Sequence, residues 1–462
     1  MIAIMLSVAV VVGARLFTWR NLFFLLLVVM LFVPIRKYTL SSGAGFQLEP
    51  YRLVVFAIAA IWVASLLVDR RVRLRRSGLE APLLAVVLAI FASDAVNTQR
   101  ISELGVQSIV TKKLVFFLTF IAVVYMLASV VTKRGDIEFM LKTLVVGGAV
   151  LSFFALLEFN TGYNVFDHLG RLFPLLRIEN TGFHTVEVRG GRARVYGSGQ
   201  HPIAYGAFLL MLMPFGIYLA RRSGRRIWWA VACLLVLGTL TTISRTSILM
   251  MLVVLLIYWR LFPGITKRLL PLLVPAILVI HLALPGSLGT IWTSFFPHGG
   301  LVKQQEQGRG TGGSGRVADL GPGLSEAAQT PFLGQGYGTR VVDQGPLLNA
   351  PILDDQWLGT LLETGIVGLL TWLWLFIVFI RRMLRRARED VDAPDAWLYA
   401  AFGSAIACFA VGMLFYDAFS FIQVTFLAFF LMAIGMGVLR ADRAARDAAP
   451  VRAATPIVLH TP

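Results

Sequence analysis

Two apolar runs, IAYGAFLLMLMPFGIYLA at residues 203–220 and IWWAVACLLVLGTLTTI at residues 227–243, flank the basic hexapeptide RRSGRR at residues 221–226. Each run has about the length that a helix needs to cross the hydrocarbon core of a bilayer. Lys and Arg residues near the ends of membrane spans are retained on the cytoplasmic side. The stretch therefore predicts a transmembrane helical hairpin whose turn faces the cytoplasm.

The same pattern extends along the whole chain of 462 residues, of which 57% are hydrophobic and 15% are charged. A soluble globular protein has a much more polar composition. Further apolar runs lie near residues 2–17, 21–35, 51–68, 80–96, 114–131, 139–157, 246–260, 269–284, 357–380, 397–415 and 419–439. We predict an all-α polytopic integral membrane protein with 12–13 transmembrane helices. The number is a range because Arg15 interrupts the first run, which counts as a span only in the higher number.

The net charge of +17 arises from 42 Lys and Arg residues against 25 Asp and Glu residues. The basic residues gather in alternate loops, so the charge reflects membrane orientation and we expect no nucleic-acid partner. The two long polar segments then face the periplasm or the cell exterior. The predicted order is N-terminal transmembrane helices at 1–157, an extracytoplasmic loop with an arginine cluster at 158–202, central transmembrane helices at 203–284, a large extracytoplasmic loop at 285–356, C-terminal transmembrane helices at 357–439 and a cytoplasmic basic tail at 440–462.

Several patterns that often indicate cofactors or redox sites have simpler interpretations here. Cys233 and Cys408 lie in separate apolar runs, so we expect two inert buried thiols and no disulfide. The glycine-rich segment 308–316 lacks the strand and the Lys-Ser/Thr of a phosphate-binding loop, and it is interpreted as a mobile linker. The segment 334–338, GQGYG, is interpreted as a tight turn before the next helix. We expect neither a cofactor nor a metal.

Ionisable residues near the predicted spans gather at the outer leaflet. A charge at bilayer depth is costly and usually marks a partner, a cavity or a pathway. Interfacial snorkelling is the simpler interpretation for Asp94 and Asp417. The residues at or near the outer ends of the predicted helices are Asp94, Glu158, Arg245, Asp354, Asp355, Glu363 and Asp417.

Arginines on the predicted outer side suggest an anion-binding site. Arg245 lies in a very short turn between two spans, on the side where basic residues are disfavoured. Arg189, Arg192 and Arg194 lie in a glycine-containing loop, where guanidinium groups suit bidentate phosphate contacts, although a solvated basic loop is the alternative. Together they suggest a bound phosphate or diphosphate, which at this surface is typical of a lipid carrier.

Two adjacent carboxylates, Asp354 and Asp355, stand where the helix of the run 357–380 should begin. One of them can cap the helix N-terminus, because an Asp there accepts hydrogen bonds from unpaired backbone N–H groups. The second is then available as a general base or as an acceptor-orienting group. Glu363 lies roughly 12 Å further along the helix axis and is expected to support the site from deeper in the membrane.

The order of these motifs resembles that of the O-antigen ligase/O-antigen polymerase superfamily of bacterial envelope glycosyltransferases. The resemblance covers about residues 150 to 380. One departure is that the ligase branch has a histidine and an asparagine where this chain has Asp354 and Asp355, which favours polymerase-like members. The matching stretches are RVYGSGQHP at 194–202, TISRT at 242–246, GR at 315–316 with PFLGQGYG at 331–338, and DDQWL at 354–358 with ETG at 363–365.

The resemblance implies a membrane glycosyltransferase of GT-C type that acts without a metal at the outer face of the bacterial cytoplasmic (inner) membrane. Its donor would be a polyprenyl-diphosphate-linked glycan, its acceptor a sugar hydroxyl, and its other partners the lipid bilayer and envelope polysaccharide assembly proteins. A ligase with a lipid or protein acceptor, a lipid-linked glycan flippase and a non-catalytic scaffold remain alternatives. The predicted site comprises the catalytic residues Asp354, Asp355 and Glu363, the diphosphate-binding residues Arg189, Arg192, Arg194, Arg245 and Arg316, and the supporting residues Tyr196, His201 and Gln356.

Overall fold

The computed structural model describes residues 18–40, 49–178, 187–189, 191–269, 271, 273–296, 316–342 and 347–448. These residues form an almost entirely helical protein. The strand Tyr38–Leu40 pairs antiparallel with Leu176–Ile178, and Val188–Arg189 pairs antiparallel with Arg192–Ala193. The first predicted span, 2–17, lies outside the described residues.

Every predicted apolar run from residue 21 onward overlaps a helix. The first group of helices is α1 (Trp19–Phe32), α2 (Pro50–Val68), α3 (Glu80–Val96), α4 (Thr98–Glu103), α5 (Gln107–Val130), α6 (Arg134–Thr161), α7 (Leu169–Leu172) and α8 (Pro202–Ser223). The second group is α9 (Ile227–Thr241), α10 (Arg245–Leu261), α11 (Pro263–Leu269), α12 (Leu273–Ala283), α13 (Ser287–Phe295), α14 (Arg316–Ala327), α15 (Gln356–Glu389), α16 (Ala396–Gly412) and α17 (Ile422–Ala448). Two 3₁₀ turns, Val165–His168 and Ala418–Ser420, complete the helical elements.

The described helices confirm an all-α polytopic membrane protein. Six of them, α2, α5, α6, α8, α15 and α17, are long and apolar enough to cross a membrane. Three shorter apolar helices, α1, α9 and α16, accompany them. Helix α6 continues past the predicted boundary at 157, and α17 continues past the one at 439, because each helix extends beyond its apolar segment.

Helices α8 and α17 occupy the centre of the bundle, where 94% and 100% of their most apolar windows are buried. Helix α2 has only 17% of its window buried, so it lies at the periphery with a large apolar surface facing outward. Small residues let neighbouring helices approach closely. A Cβ atom added at Gly238 of α9 would lie 2.5 Å from Ser152 Oγ of α6, for example. Cys233 is exposed at the protein surface, which corrects the expectation that both thiols are buried.

The loops predicted to be cytoplasmic lie together at one end of the bundle. Arg134 binds Asp395 at 2.5 Å and Asp442 at 2.9 Å, and Arg222 binds Glu138 at 2.8 Å. These pairs connect the starts or ends of α6, α8, α16 and α17. The basic loops therefore meet at the same end, as their charge pattern requires, and Asp355, Glu363 and Asp417 lie at the other end.

Helix α15 is broken near its start. Gly365 has φ 65° and ψ −168°, a conformation that only glycine adopts readily. A Cβ atom at this position would lie 2.2 Å from the carbonyl oxygen of Phe332. The break separates a half-helix, residues 356–364, from the long apolar part of α15.

The segment 331–338 satisfies the backbone groups that this break frees. Ile366 N donates to Pro331 O at 2.8 Å, and Gly336 N donates to Glu363 O at 3.0 Å. Gly334, Gly336 and Gly338 all have positive φ, so the glycine pattern builds a turn, as predicted. This turn holds the half-helix in place from the side of α3, where Ser93 Oγ also donates to Glu363 O at 2.7 Å.

Candidate functional site

A cavity of about 410 Å³ lies at the end of the bundle opposite the basic loops. Its walls come from the segment 36–39, the start of α2, the first half of α5, the segments 337–342 and 351–353, the half-helix of α15 and the segment 417–422. The charged lining residues are Arg36, Glu49, Arg52, Lys112, Lys113, Arg340, Asp355, Glu363 and Asp417. The remaining wall is largely apolar and includes Ile109, Phe116, Tyr337, Val341, Ile352, Leu353, Phe419 and Ile422.

Cations and carboxylates face each other across this cavity. Lys113 Nζ lies 3.9 Å from Glu363 Oε1 and donates to the carbonyl oxygen of Arg340 at 2.9 Å. Arg340 binds Glu326 at 2.9 Å through Nη1, whereas its Nη2 is buried and has no hydrogen-bond partner among the described residues. A buried guanidinium donor without a partner is costly, and a bound anion would satisfy it.

Asp355 is the helix-capping carboxylate of the predicted pair. Its Oδ1 accepts hydrogen bonds from Trp357 N at 2.9 Å and Leu358 N at 3.1 Å. The same side chain lines the cavity, so it lies where it could contact a ligand. Asp354 is half-buried and does not line the cavity. The structure therefore distinguishes the two aspartates, which the sequence left as equivalent candidates for the general base.

Gln356 supports the cavity wall through its hydrogen bonds. Its backbone N–H donates to Met413 O at 2.8 Å, and its Oε1 accepts from Phe419 N at 2.8 Å. It thereby fixes the short connection between α16 and α17. The supporting role of Gln356 in the site stays a prediction.

Asp417 lies on that connection and also lines the cavity. Its Oδ2 accepts a hydrogen bond from Ser420 Oγ at 2.5 Å. Burial raises the pKa of the Asp417 carboxyl, and this effect outweighs the opposite effects of the Ser420 hydrogen bond and the Lys113 charge. Asp417 therefore belongs to the wall of the cavity, which the interpretation as a snorkelling residue did not predict.

Glu363 ends the half-helix and reaches the same cavity as Asp355. Its carbonyl oxygen is held by Gly336 and Ser93, and its carboxylate faces Lys113. The prediction that Glu363 lies deeper along the same helix agrees with this placement. The sequence could not show that the helix breaks two residues later.

The predicted diphosphate arginines form a separate cluster beside the cavity. Arg194 is 4% exposed, pairs with Glu187 and donates from Nε to Thr242 O at 3.0 Å. Arg189 Nη1 donates to Ile243 O at 3.0 Å, where Ile243 has a positive φ of 46°. Arg194 and Arg189 thus hold the strained turn before α10 and do not line the cavity, and their assignment as diphosphate ligands stays a prediction.

His201 belongs to the same cluster. Its Nε2 lies 2.5 Å from Glu187 Oε1, and its ring packs against that of Phe421 with the centroids 5.4 Å apart. Partial burial acts to raise the pKa of the Glu187 carboxyl, but the hydrogen bond to His201 and the charges of Arg194 and Arg189 lower it to about 2. Phe421 connects this cluster to the cavity, because the residue that follows Phe421 in the chain lines the cavity wall.

Arg192 and Arg245 also lie off the cavity. Arg192 has its guanidinium 5.8 Å from the ring centroid of Phe159. Arg245 begins α10 and is half-buried, directly after the capping Ser244. Arg316 begins α14, but its side chain lies outside the described residues, as does the predicted linker up to residue 315.

Tyr196 belongs to a polar network that fixes the outer segments. Its hydroxyl donates to Asp167 Oδ2 at 2.7 Å, and its backbone N–H donates to Glu158 Oε1 at 3.2 Å. Asp167 in turn pairs with Lys37, the neighbour of the cavity residue Arg36. Burial and the hydrogen bond to Asp167 raise the pKa of Tyr196. Tyr196 thus lies in this network and not in the cavity wall, and its supporting role stays a prediction.

The cations that line the cavity are not among the residues predicted from the sequence. Arg36 with Lys37, and Lys112 with Lys113, are basic pairs next to spans on the predicted outer side. Basic residues are disfavoured on that side, so these pairs carry the same signal as Arg245. Arg340 and Arg52 carry no comparable signal in the sequence. Among the described residues, no group of three or more His, Cys, Asp or Glu side chains has a metal-binding arrangement.

Residues 230–373 match the model of a protein family described as O-antigen ligase. This segment is therefore similar to the O-antigen ligase family. The match covers less than half of the chain, and it confirms the resemblance to the O-antigen ligase/polymerase superfamily. It includes Arg245, Asp355, Glu363 and the break at Gly365. No curated protein matches the chain.

Members of this superfamily transfer glycans, and the fold is that of a multi-pass membrane protein. The chain is therefore an O-antigen ligase/polymerase-like membrane protein with a function in glycan processing. Of the carboxylates that line the cavity, Asp355 and Glu363 lie inside the matched segment, whereas Glu49 precedes it and Asp417 follows it. The cavity is thus lined by the matched segment together with parts of the chain on both sides of it.

Proposed function

We propose that the protein polymerises a glycan by transfer from a polyprenyl-diphosphate carrier to an acceptor sugar hydroxyl, at the outer face of the bacterial inner membrane. The observation that carries this proposal is the cavity in which Arg36, Arg52, Lys112, Lys113 and Arg340 face the carboxylates of α15. A diphosphate leaving group requires cations, and an attacking hydroxyl requires a proton acceptor. Both kinds of group line one cavity at one end of the protein.

The cations would stabilise the diphosphate as it leaves. Negative charge grows on the diphosphate oxygen when the bond to the anomeric carbon breaks, and fixed cations around it lower the energy of that transition state. Arg340 offers a buried guanidinium nitrogen without a partner among the described residues, and Lys112 is exposed. This chemistry requires no metal.

Asp355 would receive the proton of the acceptor. The hydroxyl oxygen attacks the anomeric carbon, the proton passes to the carboxylate, and the carrier diphosphate leaves with the bonding electron pair. The two N–H groups that bind Oδ1 hold the Asp355 side chain in a fixed orientation. Glu363, next to Lys113, would tune the charge of the deeper part of the cavity.

A ligase that attaches the glycan to a lipid or protein acceptor is the second candidate. The description of the matching family favours it, since that description is O-antigen ligase. Two aspartates in place of the ligase branch's histidine and asparagine favour polymerisation. The two candidates share the donor and differ only in the acceptor.

The test is glycan transfer by purified protein in liposomes supplied with polyprenyl-diphosphate-linked repeat units from the host. A ladder of lengthened lipid-linked products would support the polymerase, and a single transferred block on an added lipid or protein acceptor would support the ligase. Lys113→Ala should reduce product formation. Arg71→Gln, which removes an exposed cation at the opposite end, is the matched control and should not. Carrier binding without any transfer by the wild type would contradict both candidates and favour a transporter.

A further inference from the structure

A second cavity, of about 460 Å³, lies at the end of the bundle where the basic loops meet. It is formed by the last turns of α15 and α17, beyond the apolar parts of these helices. Its lining residues are Arg382, Arg385, Arg386, Glu389, Leu439, Arg443 and Asp447. Neither the family match nor the proposed glycan transfer accounts for this cavity.

The cavity is positively charged and accessible. Its four arginines outnumber its two carboxylates, and the side chain of Arg385 is 86% exposed. Arg386 is more buried, and its Nε has no hydrogen-bond partner among the described residues although Nη1 binds Glu389 at 2.8 Å. Guanidinium groups arranged around one space suit bidentate binding of phosphate oxygens.

The position of the cavity favours a lipid phosphate over a soluble one. Both helices that form it are among the six that can cross a membrane, and the cavity opens where their apolar segments give way to arginines. The buried Leu439 lines its wall beside these arginines. Basic cavities between transmembrane helices at the cytoplasmic surface attract anionic lipid headgroups.

We propose that this cavity binds the phosphodiester headgroup of an anionic phospholipid in the leaflet opposite the glycan-transfer site. Arg385 and Arg443 would contact the phosphate from the two helices. Arg382 has a further structural contact, because it donates to the carbonyl oxygen of Gly78 and so connects the cavity to the loop before α3. The proposal does not depend on the reaction at the other end.

The experiment is native mass spectrometry of the full-length protein, titrated with phosphatidylglycerol or phosphatidylcholine. The double variant Arg385→Gln/Arg443→Gln removes two cavity charges, and Arg70→Gln/Arg71→Gln removes two exposed charges from a neighbouring loop. We expect phosphatidylglycerol to bind the cavity variant about 30-fold more weakly than the wild type, or roughly fivefold for each arginine. The loop variant should bind like the wild type, and phosphatidylcholine should bind all three weakly.

Competition separates a lipid from a soluble anion. Inorganic phosphate or glycerol 3-phosphate, added at constant ionic strength, should not displace the bound phosphatidylglycerol. Displacement by either would assign the cavity to a soluble phosphate and overturn the proposal. Equal phosphatidylglycerol binding by the two double variants, or equal binding of the two lipids by the wild type, would overturn it as well.

Discussion

Asp355 combines a structural and a chemical role, and two substitutions separate them. Its Oδ1 accepts hydrogen bonds from two backbone N–H groups at the start of α15, 2.9 and 3.1 Å away. Asparagine keeps this acceptor, since Asn and Asp cap helices about equally well, whereas alanine removes it. We expect Asp355→Ala to lower the free energy of unfolding by about 1 kcal/mol, and Asp355→Asn by only a few tenths of that.

The rate of glycan transfer should depend on the negative charge of Asp355 and not on its hydrogen bonds to the start of α15. An amide cannot take the proton of the acceptor hydroxyl, and a positioned general base typically accelerates a reaction by about 10²–10⁴-fold. Asp355→Asn should therefore lose about that factor in the rate of glycan transfer while remaining nearly as stable as the wild type. The loss should come mainly in kcat, because the cations that bind the donor are unchanged.

The assay pairs initial rates of glycan transfer in liposomes with denaturation of the same preparations. Asp354→Asn is the comparison variant, because Asp354 is the adjacent carboxylate and does not line the cavity. The loss of rate should be much larger for Asp355→Asn than for Asp354→Asn. Wild-type rates in Asp355→Asn, or a greater loss in Asp354→Asn, would refute the assignment of the proton acceptor to Asp355.

Four further predictions concern the surroundings of the site. Gly365→Ala should destabilise the protein by about 1–3 kcal/mol through backbone strain. The contact between the added Cβ and the carbonyl oxygen of Phe332 should increase this loss, and denaturation would measure it. Lys113→Ala should raise KM for the lipid-linked donor in a titration of initial rates, whereas Arg71→Gln should not. The wild type should lose stability as the pH falls from about 4.5 towards 2, because Glu187 has a lowered pKa in the folded state; thermal melting of Glu187→Gln should lack this pH-dependent component. Transfer activity should be unchanged by a metal chelator, and restoration of a lost activity by Mg²⁺ or Mn²⁺ would contradict the proposed chemistry.

The membrane fold could be predicted from composition and charge because both act over whole segments. Apolar length and the positions of basic loops predicted the helices from residue 21 onward and the end at which Arg134 and Arg222 meet their carboxylates. The break at Gly365 was not predicted. Its cause is the contact with the segment 331–338, about thirty residues earlier in the chain, and an isolated glycine within an apolar run gives no sign of that partner.

The site was only partly predictable for a related reason. The capping function of Asp355 is local, since an acidic residue before an apolar run already implies the two N–H groups that it binds. The functions of Arg194 and Lys113 are set by what folds against them. Arg194 pairs with Glu187 from the same outer loop and is used to hold the turn before α10, whereas Lys113 faces Glu363 from a helix 250 residues away in the chain.

The break in α15 brings the carboxylates of the proposed site to one cavity. An unbroken helix would direct residues 356–364 along the axis of the apolar segment that follows, and Glu363 would then lie among lipid-facing or core residues. The positive φ of Gly365 turns the half-helix, and the segment 331–338 holds it through Gly336 and the carbonyl of Glu363. Asp355 and Glu363 can therefore line one polar cavity although they are more than two helical turns apart. We therefore expect the glycine turn to set the spacing between Asp355 and Lys113, because it fixes the half-helix through the hydrogen bond from Gly336 N to Glu363 O.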